Sequence, residues 1–435
     1  MWAYESVFYQ IYPLGFCGAP FENDGVLQHR ILKVLDWIPH MEKLGINAIY
    51  FSPVFESDTH GYNTRDYSKI DCRLGTNEDF KQVVQALHAH GIKVVLDGVF
   101  NHVGRGFWAF QDVVKNRENS PYLHWFHISL EGNSNYNDGL WYEGWEGNYD
   151  LVKLNLGNEE VVQHILNAVK GWVDEFDIDG LRLDVAYCLS DEFCRRLRGY
   201  CDGLKNDFFI LGEVLHGEYG RMLAQKNIHS VTNYQCYKGL HSGFNSYNMF
   251  EIIHSLIRLF GPEDWTVARG AHLFSFVDNH DVTRVASILD NPAHLPLIYA
   301  MTFGMPGIPC VYYGSEWGAK AHKSEGDPAL RACFDEPIYN ELSEWISKLA
   351  EAKKHSKALN YGGFRSVVLT NKQCIFERKC DEERVFVAIN AEDAPYTAHF
   401  DAGCGRAVDL ITGQMHDFGG GSELPPYSAY FWKCE

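Results

Sequence analysis

The apolar positions along the chain alternate between two spacings, one typical of helices and one typical of buried strands. Four apolar residues between positions 76 and 91 repeat at the i, i+3, i+4, i+7 spacing of one helix face: Phe80, Val83, Val84 and Leu87. Residues 93–97 (KVVLD) follow as a continuous apolar run, and a helix face at 162–176 precedes a second such run at 180–184. Nearly continuous apolar strands between helices predict a parallel sheet covered on both faces.

Eight strands of this kind can be placed along the chain. We expect them near residues 6–12, 46–52, 93–99, 180–184, 208–213, 229–234, 273–277 and 308–312, with the weakest pattern at 229–234. Eight strand–helix units favour an α/β fold of the (β/α)8 TIM-barrel type over an open doubly wound sheet.

Two regions break the alternation and predict further domains. Residues 103–157 are rich in Trp, Tyr, Asn, Gly and Glu without a clean period, and they are too long for an ordinary loop, so we expect an inserted domain B after strand three. Residues 358–435 contain short β-rich runs between turn-rich stretches and predict a C-terminal antiparallel β-sandwich, domain C. The catalytic barrel, domain A, then comprises residues 1–102 and 158–357.

Composition and charge narrow the functional classes. The 435 residues are 46% hydrophobic, which excludes a disordered chain, and the formal net charge is −19. This acidity disfavours nucleic acid and anionic membranes as partners. We see neither a leader nor a membrane span, and therefore expect a cytoplasmic protein. The twelve cysteines are scattered without a CxxC pair, which favours reduced, mostly buried thiols over a disulfide framework or a metal site.

Charged or imidazole side chains end five of the predicted strands. These residues include Asp97, Asn101, His102, Asp184, Glu213, Asp278, His280, Asp281 and Glu316. Taken singly, each is an ordinary solvated strand end, a helix cap or an ion pair. The loops after the strands of a parallel barrel build its active site, however, so we expect these side chains to converge on one rim. Carboxylates and Asn101 gathered there would also suit a metal site.

A crowd of carboxylic acids in one pocket suits the hydrolysis of an acetal such as a glycosidic bond. One acid protonates the leaving oxygen, and a carboxylate meets the oxocarbenium-like carbon. Arg182 lies two residues before Asp184 on the same strand, so both side chains share one face and Arg182 can keep Asp184 ionised. Aromatic residues of the 103–157 insertion offer flat faces for sugar rings, although they also suit a small core.

Four stretches occur in the order and strand placement of a known family's signature motifs: residues 97–102 (DGVFNH), 180–184 (GLRLD), 212–213 (GE) and 277–281 (VDNHD). On these motifs the chain resembles the α-amylase family of retaining α-glucan-active enzymes over essentially its whole length. Residues 60–67 (HGYNTRDY) resemble the family's substrate-stacking segment, and residues 326–331 (GDPALR) resemble its donor-side sugar clamp.

The resemblance implies a role for each site residue. Asp184 would be the nucleophile, Glu213 the general acid and base, and Asp281 the residue that stabilises the transition state. The implied substrate-binding residues are Tyr62 beneath the sugar ring, His102 and His280 on its hydroxyls, Arg182 beside the nucleophile, and Asp327 and Arg331 in the clamp.

Two further stretches resemble the group of neopullulanases, cyclomaltodextrinases and maltogenic amylases. They are residues 151–155 (LVKLN), with Lys153, and residues 212–216 (GEVLH), with His216. This implies an intracellular enzyme that hydrolyses α-1,4 bonds of maltooligosaccharides, cyclodextrins or pullulan fragments, with transglycosylation as an additional activity. The group usually carries an N-terminal domain that helps to form a dimer. Here strand one begins within ten residues of Met1, so we expect that domain to be absent and leave the homo-oligomeric state open.

The chain departs from the family pattern at two places. Secreted amylases follow the nucleophile with a Lys-His pair that contacts substrate and the structural calcium, whereas residues 185–188 read VAYC. We therefore expect no cofactor and no metal, although calcium through Asn101 stays open. Asn63 stands where the family has an aspartate.

Two alternative functions also stay open. One is an α-1,6-glucosidase or a glucosyl-transferring or isomerising enzyme of the family. The other is a non-catalytic glycan-binding protein, which the presence of all three carboxylates disfavours.

Overall fold

The computed structural model describes residues 1–215, 219–224 and 227–435, and eight parallel strands form its centre. In chain order these strands are β1 (Phe8–Ile11), β2 (Ala48–Phe51), β3 (Lys93–Gly98), β4 (Gly180–Leu183), β5 (Phe209–Gly212), β6 (Ser230–Val231), β7 (Phe274–Phe276) and β8 (Ile308–Tyr312). Neighbours pair in sequence from β1 to β6, and β8 joins β1 to β7. A bridge between Thr232 and Phe274 closes the ring between β6 and β7. The predicted (β/α)8 barrel is confirmed.

Helices surround the barrel strands. The longer ones are Lys33–Lys43, Asn77–Ala89, Trp108–Asn116, Glu159–Phe176, Asp191–Leu204, Tyr234–Asn245, Met249–Phe260, Leu295–Gly304 and Glu341–Lys354. The shorter ones are Pro13–Phe16, Tyr219–Leu223, Val285–Ile288, Asp327–Leu330 and Lys357–Tyr361. In the described part of the chain, no helix is long and apolar enough to cross a membrane.

The first helix predicted from periodicity is observed at Asn77–Ala89. Thr76 caps its N-terminus: the Asp79 amide donates to the Thr76 hydroxyl at 3.1 Å, and the Thr76 amide donates to the Asp79 carboxylate at 2.7 Å. This reciprocal pair satisfies two amides that have no partner within the helix. The buried face consists of the four apolar residues that set the period, so local chemistry and burial agree on where the helix lies.

The residues after β3 form a small antiparallel unit on the rim of the barrel. Strands His102–Gly104, Gly144–Trp145 and Asn148–Lys153 pair side by side, and a second pair is formed by Ile128–Ser129 and Trp141–Tyr142. Lys153 lies opposite His102 in this register. Because the inserted sheet begins four residues after β3 ends, it stands directly over the mouth of the barrel.

The C-terminal part is antiparallel, as predicted. Six strands form one sheet: Gly363–Leu369, Gln373–Lys379, Arg384–Asn390, Ser428–Cys434, Arg406–Asp409 and Met415–Asp417. A two-stranded ribbon, Tyr396–Ala398 with Ser422–Leu424, packs its apolar residues against this sheet. Helix Leu295–Gly304 is apolar on every side because it lies between the barrel and this sheet.

One cysteine expectation is wrong. Cys404 and Cys434 form a disulfide, with their Cα atoms 6.2 Å apart. Cys434 ends the last strand, and Cys404 lies just before the neighbouring strand Arg406–Asp409. The two thiols meet because of strand order, which the spacing of 30 residues along the chain does not reveal. Most of the ten other cysteines are buried thiols, in line with the expectation.

We expect Thr76→Ala to lower the free energy of unfolding by about 1 kcal/mol, because the substitution removes the oxygen that caps the helix. Thr76→Ser keeps that oxygen and should leave the stability nearly unchanged. Chemical denaturation followed by circular dichroism measures both variants. Equal stability of the alanine and serine variants would contradict the contribution of the cap.

Candidate active site

The strand ends of the barrel surround one cavity of about 480 Å³. Its acidic lining comes from Asp184 after β4, Glu213 after β5 and Asp281 after β7, together with Asp327 after β8. The other lining side chains include Tyr62, His102, Trp145, Tyr187, Lys323 and Arg331. The convergence expected from the strand ends is therefore observed for side chains of at least four strands.

Arg182 joins the carboxylates at the base of this cavity. Its Nη1 contacts Asp184 Oδ1 at 2.7 Å and Asp97 Oδ1 at 3.0 Å, and its Nη2 contacts Glu213 Oε1 at 2.8 Å. All four side chains are buried. The contacts follow from strand order: Arg182 lies beside Asp97 across the β3–β4 pair, and Glu213 follows β5 on the other side.

Burial and mutual repulsion shift the acidity of these carboxyls. Burial is the largest cause, and it raises the pKa of Asp97 to about 7 against the opposing charge of Arg182. Burial likewise raises the pKa of Asp184 and that of Glu213 above their usual values, although Arg182 again opposes the shift. Three carboxyls share one guanidinium, so the cluster retains a proton close to neutral pH.

The pKa of Asp281 is shifted in the opposite direction. Burial would raise its pKa, but His280, which becomes charged only in the acidic range where Asp281 titrates, and the permanent charges of Arg331 and Arg182 outweigh burial and hold the pKa of Asp281 at about 2. Arg331 Nη2 contacts Asp281 Oδ1 at 2.8 Å and Asp327 Oδ2 at 3.1 Å. The site therefore contains one firmly ionised carboxylate beside a group that holds a proton more readily.

Tyr62 and His280 form a flat surface beside the carboxylates. Their rings stack with centroids 5.7 Å apart, and the Tyr62 hydroxyl lies 2.5 Å from His280 Nε2 and 3.2 Å from Asp97 Oδ2. Gln10 Nε2 donates to His280 Nδ1 at 2.8 Å, which leaves the imidazole proton on Nε2. Burial lowers the pKa of His280 to about 3, so this ring is neutral and its Nε2 faces Asp281 at 3.1 Å.

The backbone just after Asp184 adopts a strained conformation that provides a hydrogen-bond donor for Glu213. Val185 adopts φ 40°, a left-handed conformation that is costly for a β-branched residue. This conformation directs the Val185 amide to Glu213 Oε2, to which it donates at 2.9 Å. His102 lies on the other side of Asp184, with Nε2 3.8 Å from Oδ2, and burial lowers the pKa of His102 to about 3.

A family model described as the catalytic domain of alpha-amylase matches residues 10–359. The chain belongs to the α-amylase family. It is thus a glycoside hydrolase of that family, and the resemblance inferred from the four motifs is confirmed.

Three similar proteins illustrate the range of this family. A cyclomaltodextrinase from Bacillus sp. is 32% identical, over 91% of this chain and 74% of that protein. An intracellular maltogenic amylase from Bacillus subtilis (strain 168) is 30% identical, over 89% of this chain and 69% of that protein. The solved structure of a cyclic α-maltosyl-(1→6)-maltose hydrolase from Arthrobacter globiformis, in its ligand-free form, has a TM-score of 0.85 at 28% identity, with 100% of both chains covered.

One of the substrate-binding residues predicted for this α-amylase-family enzyme, Lys153, neither lines the cavity nor contacts its carboxylates. Lys153 pairs with Glu143 at 2.5 Å and lines a separate cavity of about 410 Å³. His216 lies outside the described residues. The other predicted residues line the cavity or contact its carboxylates directly.

Several contributors to the site were not predicted from the sequence. Gln10 orients His280, and Tyr50 donates its hydroxyl to Asp97 at 2.7 Å. Trp145 is an aromatic residue of domain B that lines the cavity. Gln10 is a polar residue inside the apolar strand β1, and this exception to the pattern could have indicated a role in the site. No local pattern distinguishes Trp145 from the other aromatic residues of the insertion.

The sequence left open a calcium ligand at Asn101. Asn101 lines the second cavity, and its Nδ2 lies 3.1 Å from His102 Nδ1. The same cavity is lined by Lys153 and Arg196 and by the carboxylates of Glu159 and Glu192, and Arg196 contacts Glu159. Asn63, which replaces the family's aspartate, instead closes its own loop through hydrogen bonds with Thr59 at 2.8 and 3.0 Å.

We expect Asp97→Asn to move the alkaline limb of the kcat/KM profile to lower pH. Burial is the main cause of the raised pKa of Glu213 and the negative charge of Asp97 adds to it, so removal of that charge lets Glu213 lose its proton at lower pH. A pH series on a chromogenic maltoside measures the shift. An alkaline limb that stays in place, or moves to higher pH, would contradict this electrostatic coupling.

Proposed function

We propose that the protein is a retaining hydrolase of α-1,4-glucosidic bonds in maltooligosaccharides and cyclodextrins. Asp184 acts as nucleophile, Glu213 as general acid and base, and Asp281 stabilises the transition state. The observation that carries this proposal is the buried contact of one guanidinium, that of Arg182, with both Asp184 and Glu213. A retaining mechanism needs two carboxyl groups about 5 Å apart, and their shared contact with one guanidinium supports such a spacing.

In the first step, the Asp184 carboxylate bonds to the anomeric carbon as the glycosidic C–O bond breaks. The proton of Glu213 passes to the departing oxygen, so the leaving sugar departs as a neutral alcohol. Arg182 favours the ionised form of Asp184 through its contact of 2.7 Å. Asp281 carries a negative charge near the positive charge that develops on the sugar ring.

In the second step, Glu213 is a carboxylate and acts as the base. It takes a proton from water, whose oxygen bonds to the anomeric carbon and releases Asp184. A sugar hydroxyl that replaces this water gives transglycosylation by the same proton movement. The cavity lining includes the apolar side chains of Leu151, Val185 and Leu215, which suit a sugar acceptor and so favour the second outcome.

The substrate assignment draws on the relatives. The two curated relatives described above are a cyclomaltodextrinase and an intracellular maltogenic amylase, each about 30% identical over most of this chain. The second of these names also supports a location inside the cell for the present enzyme. Tyr62, stacked on His280, supplies the flat surface that a glucosyl ring requires.

A second candidate is an enzyme that acts on α-1,6 bonds within the same family. The observation that favours it is the TM-score of 0.85 to the cyclic α-maltosyl-(1→6)-maltose hydrolase, with both chains covered completely. The same carboxylates would carry out the same two steps, so only the substrate differs. Separate incubations with maltotriose, γ-cyclodextrin, pullulan and isomaltose distinguish the two candidates by their products.

We expect the α-1,4 candidate to cleave maltotriose and γ-cyclodextrin and to leave isomaltose almost intact, because the bond geometry at the leaving oxygen differs between the linkages. Chromatography of the products over time measures this. Faster cleavage of isomaltose than of maltotriose would favour the α-1,6 candidate. Binding of these glucans by a folded sample without any cleavage or transfer would contradict both.

We expect Asp184→Asn and Glu213→Gln each to lower kcat on maltotriose by about 10³-fold or more, since neither covalent step proceeds without both groups. Thermal unfolding of each variant checks that the barrel remains folded. Cys188→Ser, a substitution at an exposed thiol beside the second cavity, serves as the control. Near-normal turnover in either carboxylate variant would overturn the assignment of roles.

A further inference from the structure

The two ends of the cleft differ in chemistry, and the proposed function says which end holds which part of the substrate. The leaving sugar departs beside the proton donor, Glu213, whose neighbours Val185 and Leu215 line one end. The sugar bonded to Asp184, with everything on its non-reducing side, therefore lies towards the other end. We call that end, lined by His60, Asp327 and Arg331, the donor end.

One wall of the donor end is a chain of ion pairs from the loops after β7 and β8. Arg331 contacts both Asp281 and Asp327, and Lys323 Nζ contacts Asp327 Oδ1 at 2.6 Å. Because Arg331 touches Asp281 directly, this wall begins immediately beside the first sugar position.

The other wall of the donor end is lined by His60, which also contacts domain B. His60 lies in the loop after β2, and its Nε2 is 3.9 Å from Oδ2 of Asp150 on strand Asn148–Lys153. Tyr12 connects the two walls, because its hydroxyl donates to the His60 carbonyl at 2.6 Å while its ring lies 4.6 Å from the Arg331 guanidinium. His60 and Arg331 therefore stand at the same end of the cleft.

The charge of Asp150 suits this contact. The neighbouring His60 is the largest influence on Asp150, and it lowers the pKa of this carboxyl below its usual value. The Asp150 side chain is 50% exposed and that of His60 is 23% exposed. A contact between partly exposed groups is weak enough for a substrate to displace.

We propose that the contact between His60 and Asp150 closes the donor end and determines which glucans the enzyme prefers. The inference rests on the proposed function and adds a length limit to it. A linear chain whose non-reducing end stops at this contact is cleaved one or two sugars from that end. A cyclic glucan has no such end, so it must separate His60 from Asp150 before it can occupy the cleft.

Asp150→Ala tests this, with maltoheptaose labelled at its reducing end and with γ-cyclodextrin as substrates. In the native enzyme the labelled products should be mainly one or two sugars shorter than the substrate. In Asp150→Ala we expect shorter labelled products from internal cleavage. We also expect kcat/KM for γ-cyclodextrin, relative to that for maltotriose, to rise by about three- to fivefold, the scale of one partly exposed polar contact.

His60→Ala removes the same contact from the barrel side and should give the same change in product lengths and in substrate preference. Agreement between the two variants excludes the explanation that Asp150→Ala acts only by disturbing the folding of domain B. Glu143→Ala is the matched control. It removes the ion pair between Glu143 and Lys153, which belongs to the same inserted domain, and Lys153 lines the second cavity. The control should keep the native product pattern. If both variants are active but give the native product lengths and the native ratio of kcat/KM for γ-cyclodextrin to that for maltotriose, the inference is overturned and the proposed function is not. A native enzyme that cleaves no α-glucan would instead overturn the proposed function.

Discussion

The guanidinium of Arg182 is the contact on which the rest of the site depends. It faces carboxylates from three neighbouring strands, Asp97, Asp184 and Glu213, in a buried environment where each unpaired charge would be costly. One positive charge cannot balance the negative charges of three ionised carboxylates. That imbalance retains a proton in the cluster, and acid catalysis at neutral pH requires such a proton.

The barrel supports this arrangement through its register. Parallel pairing places Arg182 beside Asp97 on one side and Leu211 on the other, so the guanidinium reaches both adjoining strand ends without leaving its own strand. The cost of the arrangement appears in the backbone of Val185, whose left-handed conformation directs an amide to Glu213. Strain next to a reactive carboxylate is acceptable because the surrounding barrel is closed and densely packed.

Domain B turns the mouth of the barrel into a cleft with two unlike ends. Its sheet starts four residues after β3, so Trp145 and Leu151 line the cavity while Asp150 contacts His60 at the donor end. One inserted strand thus supplies both a lining residue, Leu151, and the residue that contacts His60. The same strand also carries Lys153, which lines a different cavity.

The sequence by itself determined the barrel, the C-terminal antiparallel unit and the residues at the strand ends, because hydrophobic period and strand-end chemistry are local properties of the chain. It also identified the motif residues Asp184, Glu213 and Asp281. Only the tertiary structure decided which distant residues meet: Gln10 with His280, Cys404 with Cys434, and His60 with Asp150. These pairs depend on strand order, register and the path of an irregular insertion. Such long-range contacts leave no periodic signal in the sequence.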